Sequence, residues 1–141
     1  MESQLTPYKV LIVEDDPDIG RIAQLVLEKA AYSVRLVEHA RGALEIIAED
    51  RPDMMICDVM MPEMDGLQLL ALLKSDEATR DIPVMMMSAL TAASDVRRGQ
   101  LGGAEYYLNK PFSPSQLTAA VKGVFATLSV REKLRSDSDE A

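Results

Sequence analysis

Five short apolar runs alternate with stretches whose apolar residues recur at helical spacing, and this alternation constrains the fold more than any other feature of the chain. The runs are Val10–Val13, Val34–Val37, Met54–Cys57, Val84–Met87 and Tyr106–Leu108. The first, third and fourth are apolar at successive positions, the pattern of strands covered on both faces in a parallel sheet. Three consecutive methionines, Met85 to Met87, would also suit a helix, but Pro83 before them and Ser88-Ala89 after them bound a short strand. Between the runs, Ile19, Ile22, Ala23, Val26 and Ala30 share one helical face, with Pro17 in its first turn. Ala43, Leu44 and Ile47 mark a second helix that ends before Pro52, and Leu67–Leu73 a third. Residues 92–101 predict a fourth with a thin apolar face of Ala92, Ala93 and Val96, stopped by Gly102-Gly103. Leu117, Val121, Val124, Phe125 and Leu128 form the face of a fifth.

A β–α order repeated five times predicts an α/β fold, a doubly wound five-stranded parallel sheet with helices on both faces. The unit count and the length of 141 residues suit a flavodoxin-like (βα)5 arrangement with strand order 2-1-3-4-5. The domain is expected over residues 7–128. From residue 129 the composition turns polar, which predicts a C-terminal tail or the start of a linker over 129–141, with 129–135 able to extend the last helix.

Composition excludes several classes. Fifteen Lys and Arg against 23 Asp and Glu leave a net charge of −8, which disfavours direct nucleic-acid binding, since affinity for the phosphate backbone is mostly cationic. A single cysteine, Cys57, forms no internal disulfide and no multi-thiolate zinc site, and suits a reducing compartment. The N-terminal residues carry no secretory signal and no run of about 18 apolar residues spans a bilayer, so a soluble, cytoplasmic protein without a membrane partner is expected.

The chemistry gathers where such a sheet places it, at the carboxyl ends of the strands. Strand 1 ends in Glu14-Asp15-Asp16, strand 3 in Asp58, strand 4 in Ser88 and strand 5 in Asn109-Lys110-Pro111. Two unit charges about 4 Å apart repel by roughly 4 kcal/mol at an effective dielectric of about 20, so converging carboxylates call for a cation. Oxygen-only ligands beside an open position suit Mg²⁺. Taken singly, each residue has an ordinary reading: the acidic triplet as a cap before a helix, Asp58 as a turn residue, Ser88 as a strand terminator, Lys110 as a surface charge. The combination at adjacent strand ends is what points to function.

Val10-Leu-Ile-Val-Glu-Asp-Asp-Pro17, Asp58-Val-Met-Met-Pro-Glu-Met-Asp-Gly66, Ser88-Ala89 and Lys110-Pro-Phe112 together resemble the response-regulator receiver domain of two-component signalling, from about Lys9 to Leu128. The resemblance implies that Asp58 accepts a phosphoryl group from a histidine kinase or histidine phosphotransfer protein, forming an acyl phosphate. It implies a Mg²⁺ site made by Glu14, Asp15, Asp58 and the backbone carbonyl of Met60, with Asp16 outside the set as a helix cap. Lys110, behind a cis peptide to Pro111, pairs with a phosphoryl oxygen; Ser88 is the switch hydroxyl and Tyr107 the switch aromatic. Output is implied through the fourth helix, fifth strand and fifth helix, toward a downstream protein target, an output domain or a phosphorylation-dependent homodimer. The thin face of the fourth helix makes it cheap to shift. Activity is confined to the domain's own phosphotransfer and dephosphorylation.

Three alternatives share parts of this pattern. The chain is either a self-sufficient regulator or the receiver module of a longer one with an output domain. An aspartyl-phosphate hydrolase also uses an Asp nucleophile with Mg²⁺, but resembles a D-x-D pair after the first strand, whereas Asp58 follows the third and has Met60 two places on. A flavin or nucleotide module needs a Gly-rich phosphate loop after strand 1, where this chain has Glu14-Asp15-Asp16.

Overall fold

A computed structural model describes residues 7–88 and 103–140, the stretch 129–140 as helical backbone. The elements are β1 (Lys9–Val13), α1 (Pro17–Lys29), β2 (Ser33–Val37), α2 (Ala40–Glu49), β3 (Met54–Asp58), α3 (Gly66–Ser75), β4 (Val84–Ser88), β5 (Tyr106–Asn109) and α4 (Pro114–Glu140). All strands pair in parallel in the order β2-β1-β3-β4-β5, the order expected from the sequence. The helix expected at 92–101 and its stop at Gly102 lie outside the described residues, so α4 corresponds to the fifth helical segment of the sequence.

Burial on both faces explains the unbroken apolar runs. Leu11, Val13, Met55, Cys57, Val84 and Met86 point to one side, where they pack with Ala43 and Ile47 of α2 and Leu69, Leu70 and Leu73 of α3. Val10, Ile12, Met54, Ile56, Met85 and Met87 point to the other, against Ala23 and Leu27 of α1 and Leu117, Val121, Val124 and Phe125 of α4. The methionine triplet is thus a strand whose side chains alternate between two cores, where flexible thioethers fill irregular space. The edge strands β2 and β5 are less buried, as edges must be.

Register and caps place the strand ends. Val13 lies beside Cys57, Asp58 beside Met87, and Ser88 beside Asn109, so the three inner strands and β5 finish at one level. Asp16 caps α1, accepting from the amides of Asp18 at 3.0 Å and Ile19 at 3.2 Å, the role expected of it. Asp65 and Gln68 form a reciprocal capping box at the start of α3, at 2.8 and 2.9 Å. His39 Nδ1 accepts from the Gly42 amide at 3.0 Å and caps α2.

The backbone stays helical to Glu140, past the point where composition turns polar. Arg131-Glu-Lys-Leu-Arg135 are good helix formers that propagate a helix already nucleated on the core, so the polar composition there does not distinguish coil from helix. At the opposite end of the sheet from the acidic cluster, Tyr8 stacks on Phe125 with centroids 4.2 Å apart, and Tyr32 stacks on the same ring at 5.6 Å. No described helix is long and apolar enough to cross a membrane.

Candidate functional site

Glu14 continues β1 by one residue, its amide donating to the Val37 carbonyl at 3.0 Å, and this turns its side chain inward, where it is 1% exposed. Asp15 follows on the exposed side, and Asp58 ends β3 at 4% exposure. Glu14, Asp15 and Asp58 each present an oxygen within 4.8 Å of the other two. Lys110 reaches this cluster from just beyond β5. Its backbone amide donates to the Ser88 carbonyl at 2.9 Å, the peptide to Pro111 is cis, and Nζ lies 2.6 Å from Glu14 Oε1 and 2.9 Å from Asp58 Oδ2.

The remaining contacts are local. The Met60 amide donates to Asp58 Oδ1 at 3.2 Å, and the Asp16 amide donates to Glu14 Oε2 at 3.1 Å. The Met60 side chain itself points out and is largely exposed, so only its backbone borders the cluster. Glu14 Oε1 has charge beside it but no aligned hydrogen-bond donor, a buried oxygen with lone pairs to spare. Ser88, buried at the end of β4, joins the same edge through its backbone link to Lys110. Tyr107 is set back along β5, half-buried against the core shared by α2 and α3.

Three carboxylates against one ammonium leave this cleft negative, and the titrations follow. Burial pushes the Glu14 carboxyl up to about 7; the Lys110 ammonium opposes the rise, and Asp58 adds to it. Burial by itself would lower the Lys110 ammonium, but the carboxylates of Glu14 and Asp58 beside it outweigh that and hold it above its ordinary value. Burial raises the neighbouring Cys57 thiol strongly, which leaves it an inert core side chain. An all-oxygen donor set and excess negative charge in a largely buried cleft together fit a hard divalent cation such as Mg²⁺, with Glu14, Asp15 and Asp58 the residues that could hold it.

The sequence reading left one feature of the site unassigned. The loop from Val59 to Asp65 is closed by the Asp65–Gln68 box and by the Gly66 amide donating to the Val59 carbonyl at 2.9 Å. The spacing Asp65-x-x-Gln68 just before an apolar run is the signal that could have identified this closure.

A parallel sheet with an acidic cleft at its carboxyl edge and a lysine bridging two of the carboxylates defines a class, and comparison with known proteins gives the same one. The chain belongs to the response regulator receiver domain family, whose model matches residues 10–122. Members of this family are signalling regulators of two-component systems. Among curated relatives, the protein PilG of Pseudomonas aeruginosa is 36% identical over 122 residues, covering 86% of this chain and 90% of the relative. The phosphate regulon transcriptional regulatory protein PhoB of Klebsiella pneumoniae is 38% identical over 121 residues, and there the match covers only 53% of the relative. The chain therefore spans nearly the whole of one relative and about half the length of the other. Among solved structures, the chemotaxis protein CheY4 of Vibrio cholerae superposes with a TM-score of 0.81 at 29% identity, covering 84% of this chain and 99% of that one. The signal receiver domain of a signal transduction histidine kinase from Syntrophus aciditrophicus gives 0.79 at 35% identity, covering 85% and 91%.

Proposed function

We propose that this domain is a phosphorylation-dependent switch in which Asp58 is the phosphoacceptor. The observation that carries the reading is the Lys110 ammonium held 2.9 Å from Asp58 Oδ2 in a cleft that also contains Glu14 and Asp15. An Asp58 oxygen attacks the phosphorus of a phosphohistidine on a histidine kinase or histidine phosphotransfer protein; the P–N bond breaks, its electron pair returns to the imidazole, and an aspartyl phosphate forms. Mg²⁺, held by Glu14, Asp15, Asp58 and the Met60 carbonyl, would supply charge neutralisation between two anionic reactants.

The chain's own groups do the rest. Lys110 leaves its contact with Asp58 Oδ2 to pair with a phosphoryl oxygen, while the Met60 amide orients the other carboxylate oxygen. The Ser88 hydroxyl turns to donate to the phosphoryl group, and Tyr107 moves further into the core. This change passes to β5, α4 and the segment 92–101, which presents the output face to a downstream protein, an output domain or a second copy of the domain. A coupling of about 1–3 kcal/mol suffices for a 5- to 150-fold change in partner affinity.

Acetyl phosphate labelling followed by intact-mass spectrometry tests the reading. The wild-type protein is expected to gain one phosphoryl group with Mg²⁺ and none with a chelator, and Asp58→Asn is expected to gain none. Labelling of Asp58→Asn at the wild-type rate would refute the assignment of the acceptor.

A further inference from the structure

Gly66 is the first residue of α3, one place after the Asp65 cap, and it packs against the backbone of Asp58. A β-carbon added there would overlap the Asp58 carbonyl oxygen and come within 2.9 Å of both the Asp58 carbonyl carbon and Met86 Cε. The Gly66 amide donates to the Val59 carbonyl at 2.9 Å, and the Val59 amide donates to the Met87 carbonyl at 2.9 Å, so the backbone on either side of the contact is tied down. Other close glycine contacts are of a different kind: at Gly20 the nearest atoms are the Leu36 methyls, from 2.9 Å, and these are ends of a flexible side chain. At Gly66 the obstacle is main chain, and it is the main chain of the residue that carries the site's central carboxylate.

We infer that Gly66 is a positioning residue for Asp58: its bare Cα lets the first turn of α3 seat directly on the Asp58 peptide, and that seat sets the direction of the Asp58 carboxylate toward Lys110 and the Met60 amide. The inference rests on the proposed role of Asp58 as acceptor. A side chain at position 66 must push α3 away or rotate the Asp58 peptide, by about an ångström in either case. A misplacement of that size costs roughly 10²-fold in rate when a reacting group must meet its partner in line. The thioether of Met86 can swing aside, so it does not determine the outcome.

The test compares Gly66→Ala with Leu73→Ala, which opens a cavity in the same helix without touching Asp58. Acetyl phosphate labelling with Mg²⁺ is normalised to the fraction folded, taken from urea unfolding of each variant; a Gly123→Ala background supports folding if Gly66→Ala is severely destabilised. The expected result is labelling per folded molecule about 10²-fold slower for Gly66→Ala and within a few-fold of wild type for Leu73→Ala. Adding Met86→Ala to Gly66→Ala is expected to give no rescue. The amide resonance of Met60, which reports the Asp58 carboxylate, is expected to shift in Gly66→Ala and to hold in Leu73→Ala. Wild-type labelling with an equally fast Gly66→Ala would overturn the positioning role, as would an equal fall in both variants or rescue by Met86→Ala. Absence of labelling in wild type would instead overturn the role of Asp58.

Discussion

Replacing Lys110 by Met keeps most of the apolar stem and removes the only ammonium that the described structure places in contact with Glu14 and Asp58. Breaking a buried ion pair from one side costs about 3–5 kcal/mol when the stranded charge has no escape. Here there is an escape, because Glu14 already titrates at about 7. Between its ordinary value near 4.5 and about 7, the folded protein holds a proton on Glu14 that the unfolded chain has released. Metal-free stability therefore falls as pH rises through that window. At about 1.4 kcal/mol per unit this amounts to roughly 3 kcal/mol in the wild type at most, and the window extends upward once Lys110 is gone. The Lys110 ammonium, raised from 10.5, stays charged throughout, and titration of groups remote from the cleft cancels between variant and wild type, so the difference between the two at pH 5.5 and pH 8 reports the carboxylates of this site. Urea unfolding in chelator is expected to show Lys110→Met destabilised by about 3 kcal/mol at pH 8 and by about 1 kcal/mol at pH 5.5, where Glu14 is protonated. Saturating Mg²⁺ at pH 8 is expected to restore about 2–3 kcal/mol, as ligand linkage requires near 100 times the dissociation constant. An equal loss at both pH values, unchanged by Mg²⁺, would show that Lys110 contributes packing by its stem and not charge.

Lys74 donates from Nζ to the carbonyls of Arg80 at 3.1 Å and Ile82 at 3.0 Å and lies 3.4 Å from Glu105 Oε1, which in turn accepts from the Val84 amide. Lys74→Met is expected to cost about 2 kcal/mol, with faster hydrogen exchange at Val84; unchanged exchange there would break the proposed link between the end of α3 and the start of β4. A β-carbon at Gly123 meets nothing within 4 Å, so Gly123→Ala is expected to stabilise the domain by about 0.5–1 kcal/mol, read as a higher melting temperature. In the Ser88→Ala variant, phosphoryl uptake is expected to persist at a reduced rate. The chemical-shift response of Tyr106–Asn109 to beryllofluoride with Mg²⁺ is expected to be lost, and a wild-type response would remove Ser88 from the switch.

Strand content and parallel pairing follow from local pattern, while the order 2-1-3-4-5 rests on the unit count and length that suit a flavodoxin-like fold. A strand buried on both faces must be apolar at every position, and a parallel sheet must return through helices. Val10–Val13 and Met54–Cys57 meet that requirement unaided, and even Met85–Met87 is legible once Pro83 and Ser88 bound it. The chemical types at the strand ends were legible for the same reason, since residues that break an apolar run announce themselves as Glu14, Asp15, Asp58 and Lys110. What the sequence could not determine is distance and burial. Nothing local says that Glu14 turns inward and is pushed up to about 7 by burial while Asp15 beside it stays in solvent; the hydrogen bond that the Glu14 amide donates to the Val37 carbonyl on the neighbouring strand decides that. The helical course of α4 was legible as far as 129–135, and its continuation to Glu140 was hidden, because polar composition is compatible with coil and helix alike while helix propagation depends on an anchor far up the chain. Gly66 is the sharpest case: a glycine before an apolar helix reads as a loop residue, and only the approach of α3 to the Asp58 carbonyl, across a loop closed by tertiary contacts, gives its missing side chain a purpose.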